Sequence, residues 1–231
     1  MKHFKLTTES IVNVFGVKLF RIELTIDCKW GNKGDKGGFV EKEDNISGDA
    51  WVYGNARVSG NAKVYGNARV YGNARVSGNA KVYGNAWVYG NAWVYGNAEV
   101  YGNARVYGNA WVYGNAEVYG NAEVYGNARV YGNAEVYGNA RVYGNAEVYG
   151  NARVYGDAWD KSPLQIQGTK HFICTSKYFH LKIGCHEYTF EYWKENFERI
   201  GKENGYSKEE IKEYGLYISL AINIYGLNNK K

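Results

Sequence analysis

The sequence is short of proline, of cysteine and of long apolar runs. Proline occurs once in 231 residues, at Pro163, so little of the chain is expected in Pro-marked loops. Cysteine occurs three times, at Cys28, Cys174 and Cys185, and an odd, sparse set argues against a disulfide framework. No apolar run approaches the ~18 residues of a membrane-spanning helix, and the opening Met-Lys-His-Phe-Lys lacks the apolar stretch of a secretory signal. A cytoplasmic protein without a membrane partner is therefore expected. Neither sign of charge dominates: the net charge is +5, too weak to argue a nucleic-acid protein from charge alone. None of the four histidines lies between residues 48 and 159, which removes the commonest general base from the middle of the chain.

What fills that middle is a single six-residue phrase, V-Y-G-N-A-x. Val returns every six residues from Val52 to Val154 without a slip, Ala from Ala50 to Ala158 and Gly from Gly48 to Gly156. The Asn place changes only at its ends, to Asp49 and Asp157, and the Tyr place only to Ser59 and Ser77. The place after Ala varies among Trp, Arg, Lys and Glu. A short period this strict marks a solenoid, whose units bury their apolar faces only on their neighbours. Ala and Val are two apart and share one face, while x and Tyr point the other way. Gly-Asn supplies a corner, both residues tolerating positive φ. A helix would place Gly in every second turn at a cost of about 1 kcal/mol each relative to Ala.

The variable place fixes the number of sides. In a three-sided coil residues 18 apart stack about 4.8 Å from one another. Ser59 and Ser77, Arg57 and Arg75, and Lys63 and Lys81 are each separated by that interval. A two-sided coil would stack Arg129, Arg141 and Arg153 in a repulsive column. A three-sided coil stacks Arg129 on Glu147, Glu135 on Arg153 and Glu123 on Arg141, each opposite-charge pair worth a few tenths of a kcal/mol. The expectation is a mainly β protein: a three-sided parallel β-solenoid of about six coils over residues 48–159, its handedness left open. Val and Ala leave no interior room for a ligand, and the Asn corners are placed to stack as amide ladders.

The flanks read as caps. Residues 1–47 form an N-terminal β cap, with Phe20, Ile22, Leu24 and Ile26 on one face of a hairpin. Its Gly-rich stretch Gly31–Gly38 invites a phosphate-cradle reading, but it lacks the G-K-[ST] ending and no helix follows. A turn leading into the first coil is expected instead. Residues 160–231 form a small C-terminal α+β domain. Its strands give way after Thr189 to a helix with Phe190, Trp193, Phe197 and Ile200 on one stripe. Ser207-Lys208-Glu209-Glu210 is a capping box opening a second helix.

Little in the chain carries chemistry. His171, Cys174, Cys185 and His186 form the only metal-like set. Cys185 and His186 are adjacent on an expected strand and should face opposite ways. Buried cysteines with two surface histidines is the expectation; no metal, cofactor or catalytic residue is assigned. Arg57, Lys63, Arg69, Arg75 and Lys81 form a basic collar on the first coils, alternating with Tyr, which makes nucleic acid a secondary partner class. Trp87, Trp93 and Trp111, with Arg105 and Arg129, are the expected protein-binding anchors, since aromatic and Arg side chains dominate interface energetics.

The hexads resemble the left-handed β-helix of hexapeptide-repeat acyltransferases, matching at Val52 and Ala56. Those enzymes use a His base and loops extruded from the coils, and both are missing between residues 48 and 159. The V-x-G-[ND] rhythm is also similar to bactofilins, which polymerise end to end; here both ends carry extra segments. The chain most resembles a group of bacteriophage and prophage proteins built from G-[ND]-A-x-V-Y-G repeats. Gly34-Asp35-Lys36-Gly37-Gly38-Phe39-Val40 looks like their lead-in G-D-K-G-G-[YF]-[IV]. Ile183-Gly184-Cys185-His186-Glu187-Tyr188-Thr189 looks like their exit I-G-C-x-x-[HY]-T. The resemblance implies a phage-type origin and no catalytic activity. The expected function is a non-catalytic scaffold that binds a host protein or complex, one form being an inhibitor of a bacterial defence complex. A transferase-like enzyme and a nucleic-acid-binding solenoid are the alternatives.

Overall fold

The computed structural model describes residues 2–226. The hexads close into a three-sided prism. Backbone N–H groups of one coil donate to carbonyls of the next, as from Arg105 to Ala122 (2.9 Å), Tyr107 to Val124 (2.9 Å) and Asn109 to Gly126 (2.7 Å). Residues 18 apart pair in parallel register on every side, among them Arg129 with Glu147, Glu135 with Arg153 and Glu123 with Arg141. Inside, every Val from Val52 to Val154 is fully buried, and the alanines between them are closed off as well. The interior is a continuous Val/Ala core with no chamber.

Gly and Asn divide the corner between them. Each Gly has positive φ, +70° at Gly108, and a Cβ there would lie 3.0 Å from the Gly126 nitrogen one coil on. Phe179 is the one non-Gly residue with positive φ among those described, so the Asn does not share the conformational work expected of it. It carries the amide ladder instead. Side-chain Nδ2 groups donate to the Oδ1 of the next Asn along three edges, for example Asn97 to Asn115 (3.0 Å) and Asn103 to Asn121 (3.0 Å). At the start of two of the ladders, where the first Oδ1 has no amide donor, a lysine supplies one: Lys42 at Asn61 (3.2 Å) and Lys29 at Asn67 (2.8 Å). Lys29 also neutralises Asp49, the residue that interrupts the Asn series there.

The prism makes seven turns where about six were expected, because its first coil begins before the repeat. Strand β3 (Lys36–Val40) pairs in parallel with Arg57–Val58, and Ile46 bridges to Val64. Strands β1 (Phe4–Val12) and β2 (Lys18–Leu24) form the expected hairpin and extend that side antiparallel to β3. Register shifts in both pairings change which side chains point inward. Ile22, Leu24 and also Leu19 are therefore buried, whereas Phe20 is half-buried and Ile26 lies exposed beyond β2. The Gly-rich stretch is an ordered turn. Asp35 accepts from the Asn32 amide (2.8 Å) and Asp27 from the Lys33 amide (2.7 Å), so these amides are already occupied. Gly37 and Gly38 let β3 lie against the prism, where a Cβ would meet the carbonyl oxygens of Val52 (2.6 Å) and Ala56 (2.7 Å).

At the far end the repeat slips by one residue. Ala158 pairs with Arg141 and Trp159 with Val142, so Trp159 turns inward and plugs the core. A four-stranded antiparallel sheet follows, Gln165–Gln167, Phe172–Lys177, His180–Ile183 and His186–Thr189 in sequence order. Two helices pack on it, α1 (Phe190–Glu203) and α2 (Lys208–Ala221). Thr189 caps α1 and the Ser207–Glu210 capping box opens α2, as expected.

Candidate interaction surface

Winding by thirds sorts the variable residues into three chemically different sides. One reads Arg57, Arg75, Trp93, Trp111, Arg129, Glu147 from the N-terminal end. The second reads Lys63, Lys81, Glu99, Glu117, Glu135, Arg153. The third reads Trp51, Arg69, Trp87, Arg105, Glu123, Arg141. The five expected protein-binding anchors thus fall on two sides. Trp93, Trp111 and Arg129 share the first, and Trp87 and Arg105 lie on the third.

On the first side the Trp93 and Trp111 rings meet edge to face at 5.4 Å. Arg75 lies over Trp93 (5.0 Å) and Arg129 over Trp111 (5.4 Å), forming a cation–π run. The same side leads to the β1–β2 hairpin tip, where Val14 and Phe15 are 77% and 76% exposed. Among the described residues these are the most exposed of the large apolar side chains, and the sequence reading did not single them out. On the third side Arg69 is held between Trp30 (4.9 Å) and Trp87 (4.7 Å), fixing the N-terminal turn to the prism. Trp51 is buried beneath the cap beside Phe4.

The edges between sides carry the tyrosines. Ring pairs such as Tyr89–Tyr107 stack in parallel at 4.8 Å, and Tyr101–Tyr119 at 4.9 Å. Each ring covers its neighbour's face, so the ladders present edges and hydroxyls outward. Where the next coil offers a glutamate, the hydroxyl donates to it: Tyr101 to Glu117 (2.8 Å), Tyr119 to Glu135 (3.1 Å) and Tyr131 to Glu147 (3.1 Å). Partial burial, then the bond to the carboxylate, raises the tyrosine pKa values, to about 12 at Tyr119 and Tyr131.

The basic collar is not one patch. Arg57 and Arg75 face one way, Lys63 and Lys81 another, and Arg69 a third. Lys63 donates to the Asp44 carbonyl (2.8 Å), and Lys81 pairs with Glu99 (2.8 Å). A nucleic-acid backbone would meet these five groups on three different faces.

The His/Cys set also separates. Cys174 is buried against the end of the prism, and that burial pushes its thiol up to about 12. Cys185, expected on a strand and buried, is exposed in a turn whose Gly184 has φ +58°. The alternation argument therefore does not apply to it: Cys185, His186 and His171 line one cleft of about 50 Å³, with Trp193, Asn204 and Tyr206. Among the described residues no group of three or more His, Cys, Asp or Glu is placed to hold a metal ion.

The YdcK Beta solenoid repeat model matches residues 50–66, 62–78, 68–84, 80–96, 98–114, 122–136, 134–148 and 146–161. These stretches of the prism are similar to that repeat. The matches fall within the prism, with residues 115–121 unmatched between them, and leave the first coil's β3 and both caps outside. Among curated proteins nothing matches the chain. No helix among the described residues is long and apolar enough to cross a membrane.

Proposed function

We propose that this protein is a non-catalytic, phage-type interaction protein that binds a host protein or protein complex in the bacterial cytoplasm. One form of this activity is blocking a defence complex. The observation that carries the reading is the first side. It sets Trp93, Trp111 and Arg129 in one column on a rigid wall, continuous with the exposed Val14 and Phe15 of the hairpin tip. A rigid backbone lowers the entropy lost on docking, and indole and guanidinium groups are the side chains from which interface hot spots are built. The filled core supports a binding rather than a catalytic role, since a substrate would find no chamber among the coils.

The test is a tagged pull-down from bacterial host lysate, read by mass spectrometry. A near-stoichiometric host complex is expected, lost in the Trp93→Ala/Trp111→Ala double variant and retained in Trp87→Ala, with thermal melts confirming that both variants fold. Recovery that does not depend on Trp93 and Trp111, or no specific recovery at all, removes the reading.

A further inference from the structure

Two consecutive coils contain the same heptapeptide, R-V-S-G-N-A-K, at residues 57–63 and 75–81. These are the two places where the repeat loses its Tyr. Three-sided winding stacks them directly, so Arg57 lies on Arg75 and Ser59 is one coil below Ser77. The edge that elsewhere carries the Tyr95–Tyr113–Tyr131 stack is empty of rings at this level. The hairpin tip crosses it, leaving a recess of about 30 Å³ lined by Arg57, Arg75, Ser59, Ser77, Asn13 and Phe15, with Trp93 at its far wall.

The arginines there are uncompensated. Elsewhere along the prism Arg105 pairs with Glu123, Arg129 with Glu147 and Arg153 with Glu135. Arg57 and Arg75 form no ion pair among the described residues, although they are half-buried and stack like charge on like charge. Glu41, which occupies the Tyr place one coil below Ser59, accepts from the Gly60 amide (2.6 Å) and forms no ion pair with either arginine. The lysines of the two heptapeptides face the neighbouring side and have their own partners. What remains is two guanidinium groups one coil apart, two hydroxyls beside them, and an aromatic group on either side.

We infer that this recess is an oxyanion site that takes a phosphate-bearing small ligand. Two guanidinium forks at a coil spacing can each offer paired N–H donors to one phosphate, and the serine hydroxyls supply further donors at the same level. An anion between them also removes the like-charge repulsion that the empty stack carries. A tyrosine at either serine position would fill the recess, which gives the two exceptions to the repeat a common physical cause. The site shares Trp93 and Phe15 with the docking surface but needs no macromolecular partner, so titration with small anions tests it apart from the pull-down.

The experiment is isothermal titration of the full chain with inorganic phosphate, pyrophosphate and adenosine monophosphate, at constant ionic strength against chloride. Saturable binding of at least one probe is expected. Its affinity should fall tenfold or more in Arg57→Gln and in Arg75→Gln, and binding should vanish in Ser59→Tyr/Ser77→Tyr, which restores the tyrosine column. Arg141→Gln, an arginine on another side, should bind as the parent does. Tighter binding of the nucleotide than of phosphate assigns Phe15 and Trp93 to a base; equal binding assigns the site to free phosphate. Binding that is absent for all three probes, or that survives both arginine substitutions, overturns the inference. Thermal melts separate loss of binding from loss of fold.

Discussion

At the residue scale each place in the hexad answers a physical demand. Gly meets two at once: its φ near +70° is strained for any L side chain, and the next coil's backbone stands where a Cβ would go. Gly108→Ala is therefore expected to lower stability by about 2 kcal/mol, read from urea unfolding monitored by circular dichroism. Asn acts through hydrogen bonds, so Asn109→Ala should cost about 1 kcal/mol, less than the glycine change beside it. The tyrosines make a pH prediction. Tyr119 and Tyr131 have pKa values raised from 10 to about 12 in the folded state. A raised folded pKa contributes stability that is fully present below the unfolded value and is lost as pH rises through the folded one. Stability should hold up to pH 10 and fall between pH 10 and pH 12. Melting temperatures across that window, alongside tyrosinate absorbance, check both the sign and the midpoints.

At the element scale the problem is the two open ends. A coil with no successor leaves N–H groups and carbonyls that its neighbours would have paired. At the C-terminal end side chains stand in for the missing coil. Gln165 accepts from the Tyr149 amide (2.6 Å) and donates to the Glu147 carbonyl (3.0 Å), while Ser162 accepts from the Glu147 amide (2.9 Å). Gln165→Ala strands both backbone groups and is expected to cost about 1–3 kcal/mol in equilibrium unfolding, although the side chain is only half-buried. Tyr155, the last of its ladder, donates to Glu187 of the C-terminal sheet and ties that element to the prism. None of these partners was legible in the sequence. Gln165 and Ser162 lie outside the period, and nothing in their spacing shows that they face the last coil.

At the scale of the whole molecule the prism is close to one-dimensional, each coil touching only the two beside it. Removing one whole coil, residues 105–122, keeps the hexad phase and both caps' contacts. A folded, cooperative protein about 4.8 Å shorter is expected. Removing three residues from the same place turns the Val/Ala face outward beyond the cut and should abolish cooperative melting. Thermal denaturation of the two deletions separates these outcomes. What this scale adds to the reading of the surface is the separation of sides: residues six apart in sequence lie on different walls, and only those 18 apart meet. Trp87 and Trp93 look like a pair in the sequence and are not neighbours on any one side.

The sequence by itself determined the prism. A strict period of six, the alternation of inward and outward places and an 18-residue spacing of opposite charges point to three sides per coil and leave its hand open. A separate helical period after residue 189 made Thr189 readable as a helix start, and the Ser207–Glu210 box was readable because capping is local. Tertiary structure decided what depends on register and on contact across the chain. The slip that turns Trp159 inward, the first coil recruited from Phe39 to Ser47, and the turn that exposes Cys185 all lie where the period fails. It also decided that the hairpin tip lies over Ser59 and Ser77. The two serines are visible in the sequence as exceptions, but only folding brings Phe15 to the place their missing rings leave open.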